Sequence, residues 1–246
     1  GLDHHRYLED VTHREEAGTP AILESIRAGL VFQLKEAVGA DVIRAREEAF
    51  IRRAIADWSS NPDIRVFGNP AAERLSIVSM AIRHGRGYLH FNFVVALLND
   101  LFGIQARGGC SCAGPYGHRL YAINEQESLE FEREVARGYN GIKPGWFRIN
   151  FNYFISETTF DYLVRAVHLI AEHGWRLLPQ YRFDPQTGLW SHRSLHRYEP
   201  MSLDEVTYAG GRMEYRSCHR TVPERALPGF LDDARRIFPA AATDVP

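Results

Sequence analysis

The chain has 246 residues, of which 45% are hydrophobic and 12% aromatic, and its 29 basic against 31 acidic residues give a formal net charge of -2. That is globular composition with length for one large core or two small ones, and it excludes disordered, collagenous and low-complexity classes. The even charge balance argues against a nucleic-acid binder, and no apolar run reaches the roughly 18 residues of a membrane span.

The opening stretch, Gly1 to Gly18, is acidic, poor in apolar residues and unlike a signal peptide. Thr19-Pro20 predicts a helix start, with Thr19 as N-cap and Pro20 preorganised for the first turn, and Gly39 is placed to end that helix. Asp41 starts a second helix running to Trp58, with Val42, Ala45, Ala49, Ile55 and Trp58 on one broad face. Ser59-Ser60-Asn61-Pro62 breaks it. Strands are expected at Ile64–Phe67 and Leu75–Ile82, then a helix over Tyr88–Phe102 ended by Gly103. Ile104-Gln105-Ala106 reads as a short strand entering a loop rich in glycine and cysteine, Arg107 to Gly117. A charged helix covers Glu125–Arg137. The run WFRINFNYFI, Trp146 to Ile155, alternates, with Phe147, Ile149 and Phe151 on one face and Arg148, Asn150 and Asn152 on the other. A helix from Ser156 to His173 stops at Gly174; Tyr181–Phe183 and Leu189–His192 form a hairpin; a last helix lies near Leu231–Phe238. The order of elements predicts α+β layers, a small and mostly antiparallel sheet covered by helices.

The segment R-G-G-C-S-C-A-G-P-Y-G, Arg107 to Gly117, is the most unusual. Its glycines permit close backbone approach to a ligand, and an arginine five residues before Cys112 can bind a carboxylate or favour a thiolate. Three readings stay open: a turn packing two buried thiols, a metal site using Cys110, Cys112 and His118, and a nucleophilic or redox thiol. The C-x-C spacing lacks the second pair of a zinc site. Arg148 is open to two readings as well, an edge arginine facing solvent or an inward anion binder flanked by Asn150 and Asn152. For Thr19, capping is a sufficient explanation, although a helix N-terminus also suits phosphate. The cysteines number three, an odd count for a disulfide scaffold, which points to a reducing, cytoplasmic setting.

Four segments in order carry a resemblance: R-E-E-A-G-T-P (Arg14 to Pro20), R-L-S-I-V-S (Arg74 to Ser79), L-L-N-D-L-F-G-I-Q-A-R-G-G-C-S-C-A-G-P (Leu97 to Pro115) and R-I-N-F-N-Y-F (Arg148 to Phe154). Together they resemble the C-terminal part of class V aminotransferases dependent on pyridoxal 5'-phosphate (PLP), the group that includes cysteine desulfurases. The resemblance implies the small C-terminal domain of a fold-type I transferase, preceded by a long linking helix, in a homodimer acting on an amino acid. It implies that Thr19 reaches the cofactor phosphate of the other subunit, and that Arg107 and Arg148 hold the substrate carboxylate. It also implies that Cys112 takes sulfur from the substrate as a persulfide. A departure is the Cys110-Ser111 pair before Cys112, where desulfurases commonly carry histidine or another residue.

The family's cofactor lysine, and the aspartate and histidine that accompany it, precede the G-T-P segment. The lysines here are Lys35, in mid-helix, and Lys143, in a Lys-Pro-Gly turn, and neither has that setting. The expectation is therefore a fragment of a longer enzyme that does not itself hold PLP and is inactive alone. Residues 1–38 would join the missing PLP-binding domain, 39–176 form the small domain, and 177–246 add a hairpin and C-terminal extension. The alternatives are a non-catalytic dimerisation or protein-interaction module and, through Cys110 and Cys112, a small metal-binding domain.

Overall fold

The computed structural model describes residues 4–16, 18–109, 114–194, 202–215 and 221–241. Cys110, Cys112 and Cys218 lie outside the described residues. Chain contacts divide the protein into two units, Gly1–Arg46 and Glu47–Pro246.

The first unit holds a short helix α1 (Val11–Glu15), capped by the Asp10 side chain, and α2 (Ile22–Val38). Thr19 is not the cap of α2: the helix starts three residues later, after Ala21, with no side-chain hydrogen bond at its N-cap. Gly39 ends it as expected, at a φ of 91° that a residue with a Cβ adopts only with strain. The large apolar side chains of α2 from Ile22 to Leu34, among them Ile26, Leu30 and Phe32, are exposed.

The next helix, α3 (Ala40–Ser59), carries its buried stripe further along than the sequence suggested. Phe50, Ile51, Ala54, Ile55 and Trp58 are buried at helical spacing, while Val42, Ala45 and Ala49 stay exposed. Then come β1 (Ile64–Val66), β2 (Ile77–His84), β3 (Gly87–Tyr88), α4 (Phe91–Phe102) and β4 (Arg107–Gly109). After them follow α5 (Gly114–Tyr121), α6 (Glu125–Ala136), β5 (Trp146–Asn150) and α7 (Glu157–His173). The hairpin β6 (Tyr181–Phe183) and β7 (Trp190–His192) and the helix α8 (Leu227–Ala241) complete the chain.

The sheet runs β1–β2–β5–β4, with β3 folded back on the end of β2, and every pair is antiparallel. Alternation along the strands gives it two different faces. Ile64, Val78, Met80, Ile82, Phe147 and Ile149 point into the main core, where they meet α3, α4, α7 and α8. The opposite face carries Phe67, Ala81 and Trp146, a smaller cluster packed by Leu120 and Tyr121 of α5. The architecture is therefore α+β with a small antiparallel sheet, as the order of elements implied.

Caps fix the helices around this sheet. Gly103 ends α4 in the left-handed conformation, α6 starts with a reciprocal Asn124–Glu127 capping box, and the Ser156 side chain accepts from Thr159 N–H at the start of α7. The helix α7 ends at His173 as expected, with Gly174 at its C-cap, and 3-10 turns follow to Gln180.

Candidate functional site

Arg107 and Arg148 meet across the sheet. They are direct partners in the β4–β5 register, and Ser79 of β2 is the partner of Arg148 on its other side. Directly opposed residues of antiparallel strands hold their Cβ atoms about 4.5–5.5 Å apart on one face. That face is the one opposite the main core, beside the Trp146 cluster. Arg107 stands on β4 itself, not in a loop as its glycine-rich sequence suggested. Ile104-Gln105-Ala106, expected as the strand, is outside it.

Gly108 explains how β4 joins the sheet. A Cβ there would overlap the Asn92 side chain and stand 3.0 Å from the Phe91 ring. Only glycine lets α4 pack this closely on the edge strand, and with Gly108 turned towards α4 its neighbour Arg107 turns to the other face.

The two arginines differ from Arg65 on the same sheet. Arg65 donates 2.6 Å hydrogen bonds to the Tyr88 hydroxyl and the Leu120 carbonyl, and its guanidinium lies 4.8 Å from the centre of the Phe67 ring. It is committed to tying β1, β3 and α5 together. Nearby, the Tyr121 hydroxyl donates to the Gly145 carbonyl at 2.5 Å. Burial pushes its pKa up to about 12, with Tyr88 adding to the rise and Arg65 opposing it. Arg107, exposed, and Arg148, half-buried, have no hydrogen-bonded or ion-pair partner for their guanidinium groups among the described residues.

Both line an open cavity of about 520 Å³ at the end of the sheet where β2 begins and β5 ends. The other polar groups on its wall are Glu47, Ser76, Gln105, Asn150 and Asn152. The Glu47 carboxylate accepts the Tyr153 backbone N–H at 3.2 Å, and the Asn150 amide donates to Asn152 at 3.4 Å. Ser76 is 6% exposed, and its hydroxyl has no hydrogen-bond partner among the described residues. Two unpaired cations side by side on the wall of such a cavity can bind a carboxylate with fork-like hydrogen bonds.

Not every sequence candidate can be placed against this cavity. Thr19 belongs to the first unit, where it is exposed just before α2. Cys112 lies between Gly109, the last residue of β4, and Gly114, the first of α5, outside the described residues. His118 contacts the Ser128 hydroxyl at 3.4 Å and lines a separate pocket between α5 and α6, while Cys110 and Cys112, its partners in the metal reading, lie outside the described residues. Among the described residues no group of three His, Cys, Asp or Glu side chains is placed to hold a metal ion. No described helix is long and apolar enough to cross a membrane. Glu47 and Ser76 were missed by sequence reasoning. A serine inside the apolar run Leu75 to Ile82 was the available signal for one; Glu47 looked like any charge on a solvated helix face.

The family model of class V aminotransferases matches residues 2–130. A probable cysteine desulfurase of Halobacterium salinarum is 32% identical over 100 residues, which are 41% of this chain and 23% of that protein. A cysteine desulfurase of Dickeya dadantii is 32% identical over 106 residues, 43% of this chain and 24% of the other. A probable cysteine desulfurase of Streptomyces coelicolor is also 32% identical, over 103 residues, 42% of this chain and 24% of its own length. The chain thus matches about a quarter of the length of these curated relatives. Thr19, Arg107 and Cys112 fall inside the segment matched by the family model and Arg148 beyond it.

Proposed function

The chain belongs to the class V aminotransferase family, and from that premise we propose that it is the C-terminal part of a PLP-dependent enzyme in which Arg107 and Arg148 grip the carboxylate of an amino-acid substrate. The observation that carries this reading is the cross-strand pairing, on one cavity wall, of two arginines that have no partner among the described residues. Like charges directly opposite on a sheet weaken it. Their placement makes physical sense where an anion is bound between them.

The site fits one half of what such an enzyme needs. The carboxylate grip is supported by charge, geometry and open access. The cofactor tether does not fit: Lys143 lines the apolar pocket of Phe131, Val135 and Pro144, separate from the arginine cavity, and Lys35 stands on α2 of the first unit. PLP supplies an electron sink when bound. A lysine that holds it would come from outside these residues. In this reading the fragment is inactive alone, residues 1–38 lead from the cofactor domain, 39–176 form a fold-type I small domain and 177–246 extend it. The parent enzyme is a cytoplasmic homodimer in which Thr19 meets the cofactor phosphate and Cys112 accepts sulfur.

Arg107 and Arg148 together do three things in this scheme. They select a carboxylate over a neutral end group, they orient the rest of the substrate away from the sheet, and they hold that orientation by bidentate bonds. The test is carboxylate binding to the chain itself. Acetate or propionate should perturb the arginine side-chain resonances of the wild type, and the double variant Arg107→Gln, Arg148→Gln should lose the effect. Equal binding by both proteins would overturn the reading.

One observation favours a second role, a dimerisation or interaction module. The apolar side chains of α2 are exposed along its length, including Leu23 at 71% and Phe32 at 69%. Exposed apolar surface of this extent marks an interaction site. Light scattering on the chain and on a Phe32→Glu variant separates a self-associating α2 from a monomeric one.

A further inference from the structure

We propose that the arginine cavity is bipolar, and that its ligand carries a carboxylate at one end and a cationic or hydrogen-bond-donating group at the other. This rests on the carboxylate-grip reading and adds the substrate class to it. Glu47 lines the same cavity as Arg107 and Arg148. One carboxylate oxygen accepts the Tyr153 N–H at 3.2 Å, so the group is held in place by the backbone that follows β5. Yet among the described residues Glu47 has no ion pair with either arginine, or with any other cation. The cations and the anion on this wall therefore leave one another unneutralised, which is unusual for groups sharing one cavity.

Chemistry then sorts the ligands. A simple monocarboxylate satisfies the arginines and leaves Glu47 facing apolar carbon. A dicarboxylate of the same length brings its second anion towards Glu47 and is repelled. A carboxylate with a terminal ammonium satisfies both ends. The Ser76 hydroxyl, buried and without a partner on the same wall, adds a group that can accept from such a donor end. Among amino acids, the class so selected has a basic or donor-ended side chain.

The experiment compares three five-carbon probes, pentanoate, glutarate and 5-aminopentanoate, binding to the whole chain by ligand-observed NMR. The wild type should prefer 5-aminopentanoate over glutarate by about fivefold, the upper end of the discrimination expected of one partly exposed charge contact. Glu47→Gln keeps an acceptor for the Tyr153 N–H and should fold; in it the preference should fall to within twofold, with pentanoate bound at least as well as in the wild type. Ser76→Ala should weaken 5-aminopentanoate alone. Glutarate binding as well as 5-aminopentanoate in the wild type, or a preference that survives Glu47→Gln, would overturn the bipolar site and leave the arginine grip standing. If no probe shows binding that Arg107→Gln and Arg148→Gln remove, the grip itself fails, and the bipolar site with it.

Discussion

Arg107 and Arg148 are opposed residues of neighbouring antiparallel strands, so two guanidinium groups share one face of the sheet with no acidic partner among the described residues. A sheet selected for stability alone would not keep this pair. Removing one charge should therefore separate stability from binding. Arg107→Gln is expected to leave thermal stability unchanged or to raise it, by about 0–1 kcal/mol, while carboxylate affinity falls. In the parent enzyme Arg107→Lys should lower kcat/KM by about 10–100-fold, because an ammonium cannot reproduce the fork. A melting temperature that drops by several degrees with affinity intact would mean that Arg107 is structural.

His90 predicts a pH dependence with a definite sign. Its Nδ1 accepts the Asn92 N–H at 3.1 Å as N-cap of α4, and its Nε2 faces the Gly141 carbonyl at 2.8 Å and so donates to it. The cap needs the neutral ring, because a protonated Nδ1 cannot accept; the Nε2 bond survives protonation. Burial holds the pKa below its ordinary 6.5, with the Gly141 bond opposing the shift. The unfolded chain therefore takes up the proton first as pH falls. The contribution is fully present above about pH 6.5 and is lost as pH drops below it. Asparagine caps a helix without titrating, so in His90→Asn the urea midpoint should fall less between pH 7.5 and pH 5.5 than in the wild type. Equal falls in both proteins would exclude His90 as the source.

Local chemistry was legible in the residues; long-range partnership was not. The alternation that put Phe147, Ile149 and Phe151 together is matched by their burial, at 0%, 4% and 1% exposure. Gly39 and Gly103 end their helices because positive φ is cheap only for glycine. By contrast, nothing local makes Arg107-Gly108-Gly109 a strand. It is one because β5 pairs with it and α4 fits against Gly108. The first half of α5, Gly114 to Gly117, falls in the stretch expected as a loop rich in glycine and cysteine. Its Gly117 packs against Trp146, where a Cβ would stand 3.3 Å from the indole, so tertiary contact overrides poor propensity. The family resemblance named both arginines, but only the register puts them face to face.

Gly141 and Gly188 give a test of how the β6–β7 hairpin is attached. A Cβ on Gly141 would stand 2.6 Å from the Phe183 ring and 3.0 Å from both the Gly188 Cα and the Pro185 carbonyl oxygen. Backbone meets backbone here, so neither side can yield easily. Gly141→Ala should cost about 1–3 kcal/mol, the usual range for overpacking. The change should be visible in Trp190 fluorescence, since that ring sits on Phe183 and Phe93. Unchanged stability with an unchanged spectrum would show that the hairpin contributes little to the fold.

Cys112 separates the chemistries open to a class V enzyme. If the parent is a desulfurase, sulfur leaves the substrate's carbon for the Cys112 Sγ, and that transfer needs a thiolate. Serine is nearly isosteric, but its hydroxyl is not ionised near neutral pH and forms no stable bond to sulfur in this role. In the full-length protein, assayed with a thiol reductant that frees the persulfide sulfur as sulfide, Cys112→Ser should then abolish sulfide release from L-cysteine, while substrate binding through Arg107 and Arg148 stays within about twofold. Transamination would survive the same substitution, because moving an amino group requires no sulfur acceptor. Cys110 tests the remaining ambiguity. If Cys110→Ser leaves sulfide release intact and Cys112→Ser removes it, the second thiol is not the acceptor. Sulfide release that persists in Cys112→Ser and is lost only when Cys110 is also replaced would move the acceptor role two residues towards β4.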